Sequence, residues 1–188
     1  MTSLLTRTNL ADLEVRADGD GRTIFGVLVP YDAPTQIAEP GGSYQETFVR
    51  GAFNAQLADP AAVGRVKLLS QHRRDMNPLG RAVELRDDAA GLVGAFRVAN
   101  TQAGDEALEL VRDGALDAFS IGFKPIGDEW NSRRTEVVRR SALLRETSLV
   151  TFPAYAGAAI AGVRTGIRSV SPEDAARRLS LLESAFHV

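Results

Sequence analysis

Three side chains in this sequence are of the types that together perform acyl transfer: Ser120, His72 and Glu146. A serine hydroxyl is a weak nucleophile until a neighbouring base takes its proton. Imidazole, with an unperturbed pKa of ~6.5, is the side chain best suited to that task near neutral pH. A carboxylate behind the ring fixes its tautomer and steadies the imidazolium that forms. Each residue also has a plainer reading. Ser120 could be an outward-facing strand hydroxyl, His72 a surface histidine in a charged loop, and Glu146 half of a salt bridge to an arginine. The only other histidine, His187, sits beside the C-terminus and is read as incidental. The chain has no cysteine, which excludes a thiol nucleophile, thiolate metal sites and disulfides. Two histidines cannot build a His-rich metal centre in one chain, so a metallohydrolase is disfavoured and no metal or cofactor is expected.

The local context says how each would be positioned. Ala118 to Lys124 reads as a strand in which Phe119, Ile121 and Phe123 share one face and Ala118, Ser120 and Gly122 the other. The aromatic face belongs in the core. The other face sets a lone hydroxyl between two small neighbours, with open space expected beside it. His72 ends a strand running from Val66 to Gln71 and precedes the polar turn Arg73-Arg74-Asp75-Met76-Asn77-Pro78. Glu146 lies in a strand from Leu143 to Phe152, sharing a face with Leu144, Ser148 and Val150.

Around these, Leu13 to Ala17 and Thr23 to Tyr31 read as a hairpin about Asp18-Gly19-Asp20-Gly21. Pro30 to Ser43, with three prolines, reads as a loop. Tyr44 to Val49 is either a strand or a helical turn. Gly51 to Ala58 predicts a short helix ended by Asp59-Pro60. Gly80 to Arg86 and Leu92 to Val98 predict a strand pair. Gly104 to Asp113 predicts a helix with Ala107, Leu108 and Val111 on its apolar side and Gly114 after its end. Thr135 to Arg140 predicts a further strand. Ser171-Pro172-Glu173-Asp174 has the cap, proline and acids of a helix start, and Ala175, Leu179, Leu182 and Phe186 give that helix an apolar stripe. The alternating strands predict a mainly β, α+β fold: an antiparallel sheet or barrel with surrounding helices.

The chain has 188 residues, 22 Lys+Arg against 24 Asp+Glu, and 44% hydrophobic content. That suits one domain with a tail: residues 1–165 as the functional domain and 166–188 as a C-terminal helical tail. A net charge of -2 argues against general nucleic-acid binding. No apolar run approaches the ~18 residues a membrane span needs, and no secretory signal is read at the N-terminus. An aromatic content of 6% argues mildly against a barrel built around a small-molecule pocket.

Five phrases then occur in order. They are Arg50-Gly51-Ala52-Phe53; Leu68-Leu69-Ser70-Gln71-His72 followed by Pro78-Leu79-Gly80-Arg81; Asp113-Gly114-Ala115-Leu116-Asp117-Ala118-Phe119-Ser120-Ile121-Gly122-Phe123; Asp128-Glu129-Trp130; and Arg145-Glu146-Thr147-Ser148-Leu149-Val150-Thr151-Phe152-Pro153-Ala154-Tyr155. Together, over about Arg22 to Val163, they closely resemble the HK97-type phage prohead maturation proteases. The resemblance implies a serine endopeptidase with the fold of the herpesvirus assemblins, an antiparallel β-barrel of about seven strands with helices around it. It implies Ser120 as nucleophile, His72 as general base and Glu146 as third member, where the herpesvirus relatives use a second histidine. It leaves the oxyanion donors open between Arg145, Arg164 and backbone N–H groups near Ser120. The implied substrates are phage scaffolding protein or the scaffolding region of the major capsid protein, and the chain itself. The implied place is the host cytoplasm, inside the procapsid, with self-association as dimer or larger and neither nucleic acid nor membrane as partner. On this view the tail is either a packed helix or a removable targeting segment, with no fused scaffolding segment beyond it. The rival reading is a catalytically inactive, scaffold-binding assembly protein on the same fold.

Overall fold

The structure, a computed structural model, describes residues 5–9, 20–39, 42–89, 91–151 and 160–165. Ten strands and three helices are found among them. In chain order these are β1 (Leu5–Asn9), β2 (Asp20–Pro30), β3 (Thr35–Glu39), β4 (Gly42–Phe48), α1 (Asn54–Leu57), α2 (Pro60–Gly64) and β5 (Lys67–Ser70). There follow β6 (Gly80–Asp87), β7 (Gly91–Val98), α3 (Gln102–Asp113), β8 (Ala118–Trp130), β9 (Glu136–Val150) and β10 (Ile160–Thr165).

All ten strands belong to one sheet. Eight follow the order β1-β8-β9-β5-β6-β7-β2-β10, and the β3–β4 ribbon joins through β4 to β9. Among the described residues the end strands β1 and β10 are not hydrogen-bonded to each other, so the expected closed barrel of about seven strands is corrected to an unclosed sheet with eight strands along its main path. Register shifts in β2–β7, β6–β7 and β8–β9 bend it. One apolar cluster gathers Ile24 and Leu28 of β2, Leu68 of β5, Phe96 of β7, Leu108 of α3 and Phe119, Ile121 and Phe123 of β8. The mainly β architecture is as expected. The purely antiparallel pairing is not, because β4 and β5 both run parallel to β9.

β9 is the hub of the molecule. One edge pairs with β8 along most of its length. The other edge serves two strands in turn: β4 from Glu136 to Arg139, and β5 from Glu146 to Leu149. Between them the chain improvises partners. Ala142 N–H donates to the Ala52 carbonyl (2.8 Å), and the buried Gln56 amide takes both backbone groups of Leu144 (2.9 and 2.8 Å). Two strands expected over Thr135 to Phe152 are therefore one, carried through Ser141 by bulges opposite Gly127.

Other boundaries move for local reasons. The expected loop Pro30 to Ser43 contains β3 and the start of β4, because Pro34 and Pro40 flank the alternating Thr35–Glu39 run rather than interrupt it. Of the stretch Tyr44 to Val49, all but Val49 resolves as strand, within β4. Asp59-Pro60 does not simply end α1. It starts α2, with the Asp59 carboxylate accepting from Ala61 N–H (2.9 Å) and proline at the first helical position. α3 begins two residues early because Thr101 caps it, its hydroxyl accepting from Gly104 N–H (3.1 Å). Gly114 ends it at φ 83°, a left-handed conformation in which glycine carries no Cβ penalty. The expected strand Leu13 to Ala17 and the tail helix lie outside the described residues.

A buried ion pair fixes the β3–β4 ribbon. Arg139, 1% exposed, donates through Nε to Glu46 Oε1 (2.7 Å) and through Nη1 to Asp128. Its guanidinium also lies over the Phe123 and Trp130 rings at 5.6 and 5.7 Å. Removing one member of such a pair typically costs about 3–5 kcal/mol, since the other charge stays buried.

Candidate active site

Strand register brings the three predicted residues to one place. On β9, Glu146 and Ser148 share a face by the two-residue period. On β8, Ser120 lies directly opposite Ser148, and Gly122 directly opposite Glu146. On β5, Leu69 flanks Ser148 from the other side, and His72 follows just beyond the strand end.

A tight turn sends His72 back over the sheet. Gln71 and His72 adopt φ 50° and 56°, two successive non-glycine residues in the left-handed region. Such residues cost of order 1–3 kcal/mol each and persist only where their surroundings over-determine them. Here they do. Gln71 N–H donates to the Leu149 carbonyl (2.9 Å), the Gln71 amide to Thr151 Oγ1 (2.8 Å), and His72 N–H to Ser148 Oγ (3.1 Å).

The side chains then form a closed relay. His72 Nε2 lies 2.6 Å from Ser120 Oγ, and His72 Nδ1 lies 2.7 Å from Glu146 Oε1. A carboxylate can only accept, so Nδ1 carries the proton and donates it to Glu146. That leaves the Nε2 lone pair to accept from the Ser120 hydroxyl. This tautomer is the one a general base requires. Glu146 Oε2 accepts from the Ser148 hydroxyl (2.9 Å), so both carboxylate oxygens are engaged. Ser120 and Glu146 are 2% and 4% exposed, whereas the His72 side chain keeps 25% and opens the site to solvent. Beyond it, the loop carries a separate exposed pair. Hydrogen bonds from Arg73 hold the Asp75 carboxyl down to about 2, and a pair so exposed adds little stability.

Two site features differ from the sequence expectation. The face of Ala118, Ser120 and Gly122 is not open, since all three residues are buried. A Cβ on Gly122 would fall 2.2 Å from Glu146 Oε1. The small residue makes room for the carboxylate, not for substrate. Sequence reasoning also missed Ser148 as a site residue. Its hydroxyl accepts from the His72 backbone and donates to Glu146, tying the turn to the acid. The signal was its two-residue spacing from Glu146 on one strand face. Ser148→Ala is expected to lower turnover by about 10²-fold, the usual cost of a small misplacement. Steady-state kinetics beside a melting curve checks it, with fold retained. As for the oxyanion candidates, Arg145 lies at the bulge between the pairs Gly122–Glu146 and Phe123–Leu144 and lines a cleft beyond Glu146. The Arg164 side chain lies outside the described residues.

An alcohol, an imidazole and a carboxylate in this order have the chemistry that acyl transfer requires. Comparison with known proteins points the same way. A family model described as caudovirus prohead serine protease matches residues 11–172. The prohead protease of Enterobacteria phage HK97 is 24% identical over 174 residues, covering 90% of this chain and 74% of that one. Among solved structures, the capsid assembly protease of bacteriophage T4 superposes with TM-score 0.52 at 13% identity, covering 80% of this chain and 98% of the other. This likeness is one of fold. Varicella-zoster virus protease superposes at TM-score 0.44 with 16% identity, over 86% of this chain and 76% of that one.

Proposed function

This chain belongs to the caudovirus prohead serine proteases, and we propose that it is the serine endopeptidase that trims phage scaffolding protein, or the scaffolding region of the major capsid protein, during procapsid maturation. The observation that carries the reading is the relay from Ser120 Oγ through His72 to Glu146, at 2.6 and 2.7 Å. His72 takes the Ser120 proton through Nε2 as Oγ attacks the scissile carbonyl. The same nitrogen then protonates the leaving amine, and water releases the acyl-enzyme. Glu146 holds the ring and balances the imidazolium, and Ser148 holds Glu146. The reading takes residues 1–165 as the catalytic domain and 166–188 as a tail that is packed, targeting or removed by self-cleavage. It places the work inside the procapsid and includes self-association. No described helix is long and apolar enough to cross a membrane.

Co-expression with the major capsid protein and scaffolding protein of the same phage tests it. Intact mass spectrometry of the particles should find one of them shortened in the presence of the unaltered chain and full-length beside Ser120→Ala. Full-length proteins in assembled particles that contain the unaltered chain would refute it.

A further inference from the structure

The second edge of β9 is interrupted. β4 leaves it at Arg139 and β5 takes it up at Glu146, with Gln56 of α1 bonded into the gap and Ala62 of α2 beside it. There the Gln56 amide stands in for a strand at Leu144. A cleft of about 440 Å³ opens at this gap, with Leu143 and Leu144 as apolar wall and Arg65, Lys67 and Arg145 as charged lining. No carboxylate among the described residues lines it. Arg65 has an exposed ion pair with Asp59 at 3.3 Å, while Lys67 and Arg145 make no ion pair with any described residue. Three cations converge in one concavity of a chain whose net charge is -2.

The cleft neighbours the relay along the strands, although no relay residue lines it. Lys67 lies opposite Glu146 in the β5–β9 register, and Arg145 precedes Glu146 at the bulge. The Glu146 oxygens are bonded to His72 and Ser148, and among the described residues no ion pair joins Glu146 to Lys67 or Arg145. Concave, like-charged walls concentrate ligands of the opposite sign.

We propose that this cleft is a substrate subsite for an acidic segment of the polypeptide, away from the scissile bond. Arg65, Lys67 and Arg145 pair with its carboxylates, and Leu143 and Leu144 take the apolar neighbour. The proposal rests on the peptidase reading for its use, but not for its test.

The test is fluorescence polarisation on the full chain carrying Ser120→Ala. The probe is a short fluorescein-labelled peptide of alternating glutamate and alanine. It should bind, weaken with added salt, and lose about 10-fold or more in affinity when Lys67→Glu and Arg145→Glu are added. The same peptide with glutamine for glutamate should not bind. Lys67 and Arg145 are exposed, so the variant should fold, and its melting curve checks this. Equal binding by the charge-reversed variant or of the glutamine peptide would overturn the proposal. So would equal competition by a single-stranded oligonucleotide, which would mark a general polyanion face. In parallel, the active chain is given a proteome-derived peptide library. Acidic residues should be enriched at one fixed distance from the cuts, and the charge reversal should abolish that enrichment. If the active chain cuts nothing while the polarisation result holds, the peptidase reading fails and the acidic-peptide site stands.

Discussion

Ser120→Ala should leave a folded protein whose turnover is lower by about 10⁶-fold, the scale on which serine triads lose activity with their nucleophile. The structure separates the two effects. Ser120 sits near the start of β8, paired with Ser148 on β9 and Thr8 on β1, and alanine keeps that backbone intact. Among the described residues its Oγ has one side-chain partner, His72 Nε2, and losing that bond changes stability by roughly 1 kcal/mol. The chemistry, by contrast, loses the atom that becomes covalently bound. Cleavage of a capsid-derived peptide, read alongside thermal melting, checks both. Near-normal turnover would remove Ser120 from the mechanism.

Glu146→Gln should lower turnover by about 10⁴-fold, the scale seen when a triad carboxylate becomes an amide, with little change in fold. The substitution is isosteric, so the space beside Gly122 still accommodates it. The hydrogen-bond logic does not survive. The carboxylate accepts on both sides, from His72 Nδ1–H and from the Ser148 hydroxyl. An amide has one accepting end. If its oxygen faces Ser148, its NH₂ faces Nδ1 and drives the ring proton to Nε2, where it blocks acceptance from Ser120. If its oxygen faces His72, the tautomer survives but the countercharge for the imidazolium is gone. Imidazole nitrogen chemical shifts report the tautomer, and kinetics report the loss. Unaltered activity would take Glu146 out of the site and leave the Ser–His pair standing.

The parts of this arrangement differ in how plainly the sequence announces them. Ser120 and Glu146 lie on strands whose apolar alternation is clear, so their faces could be read locally. His72 could be placed at a strand end, but not the turn that folds it back. That turn uses left-handed Gln71 and His72, held by partners on β9 that are remote in sequence. Gly122 was legible as small, yet its purpose was not, because the carboxylate that needs the space belongs to the neighbouring strand. Barrel closure failed for the same reason. Alternation shows that a strand has one buried face, but not which strands pair at the ends of a sheet or in which direction. The parallel pairing of β4 and β5 with β9 leaves no local mark, and neither does the gap between them where the cationic cleft lies.

The most direct test of the relay is covalent. A fluorophosphonate added to the purified chain, followed by peptide mapping, should place the adduct on Ser120, and His72→Gln should abolish labelling while leaving the melting curve unchanged. An adduct on another serine, or none on the folded protein and none in assembled particles, would contradict the account.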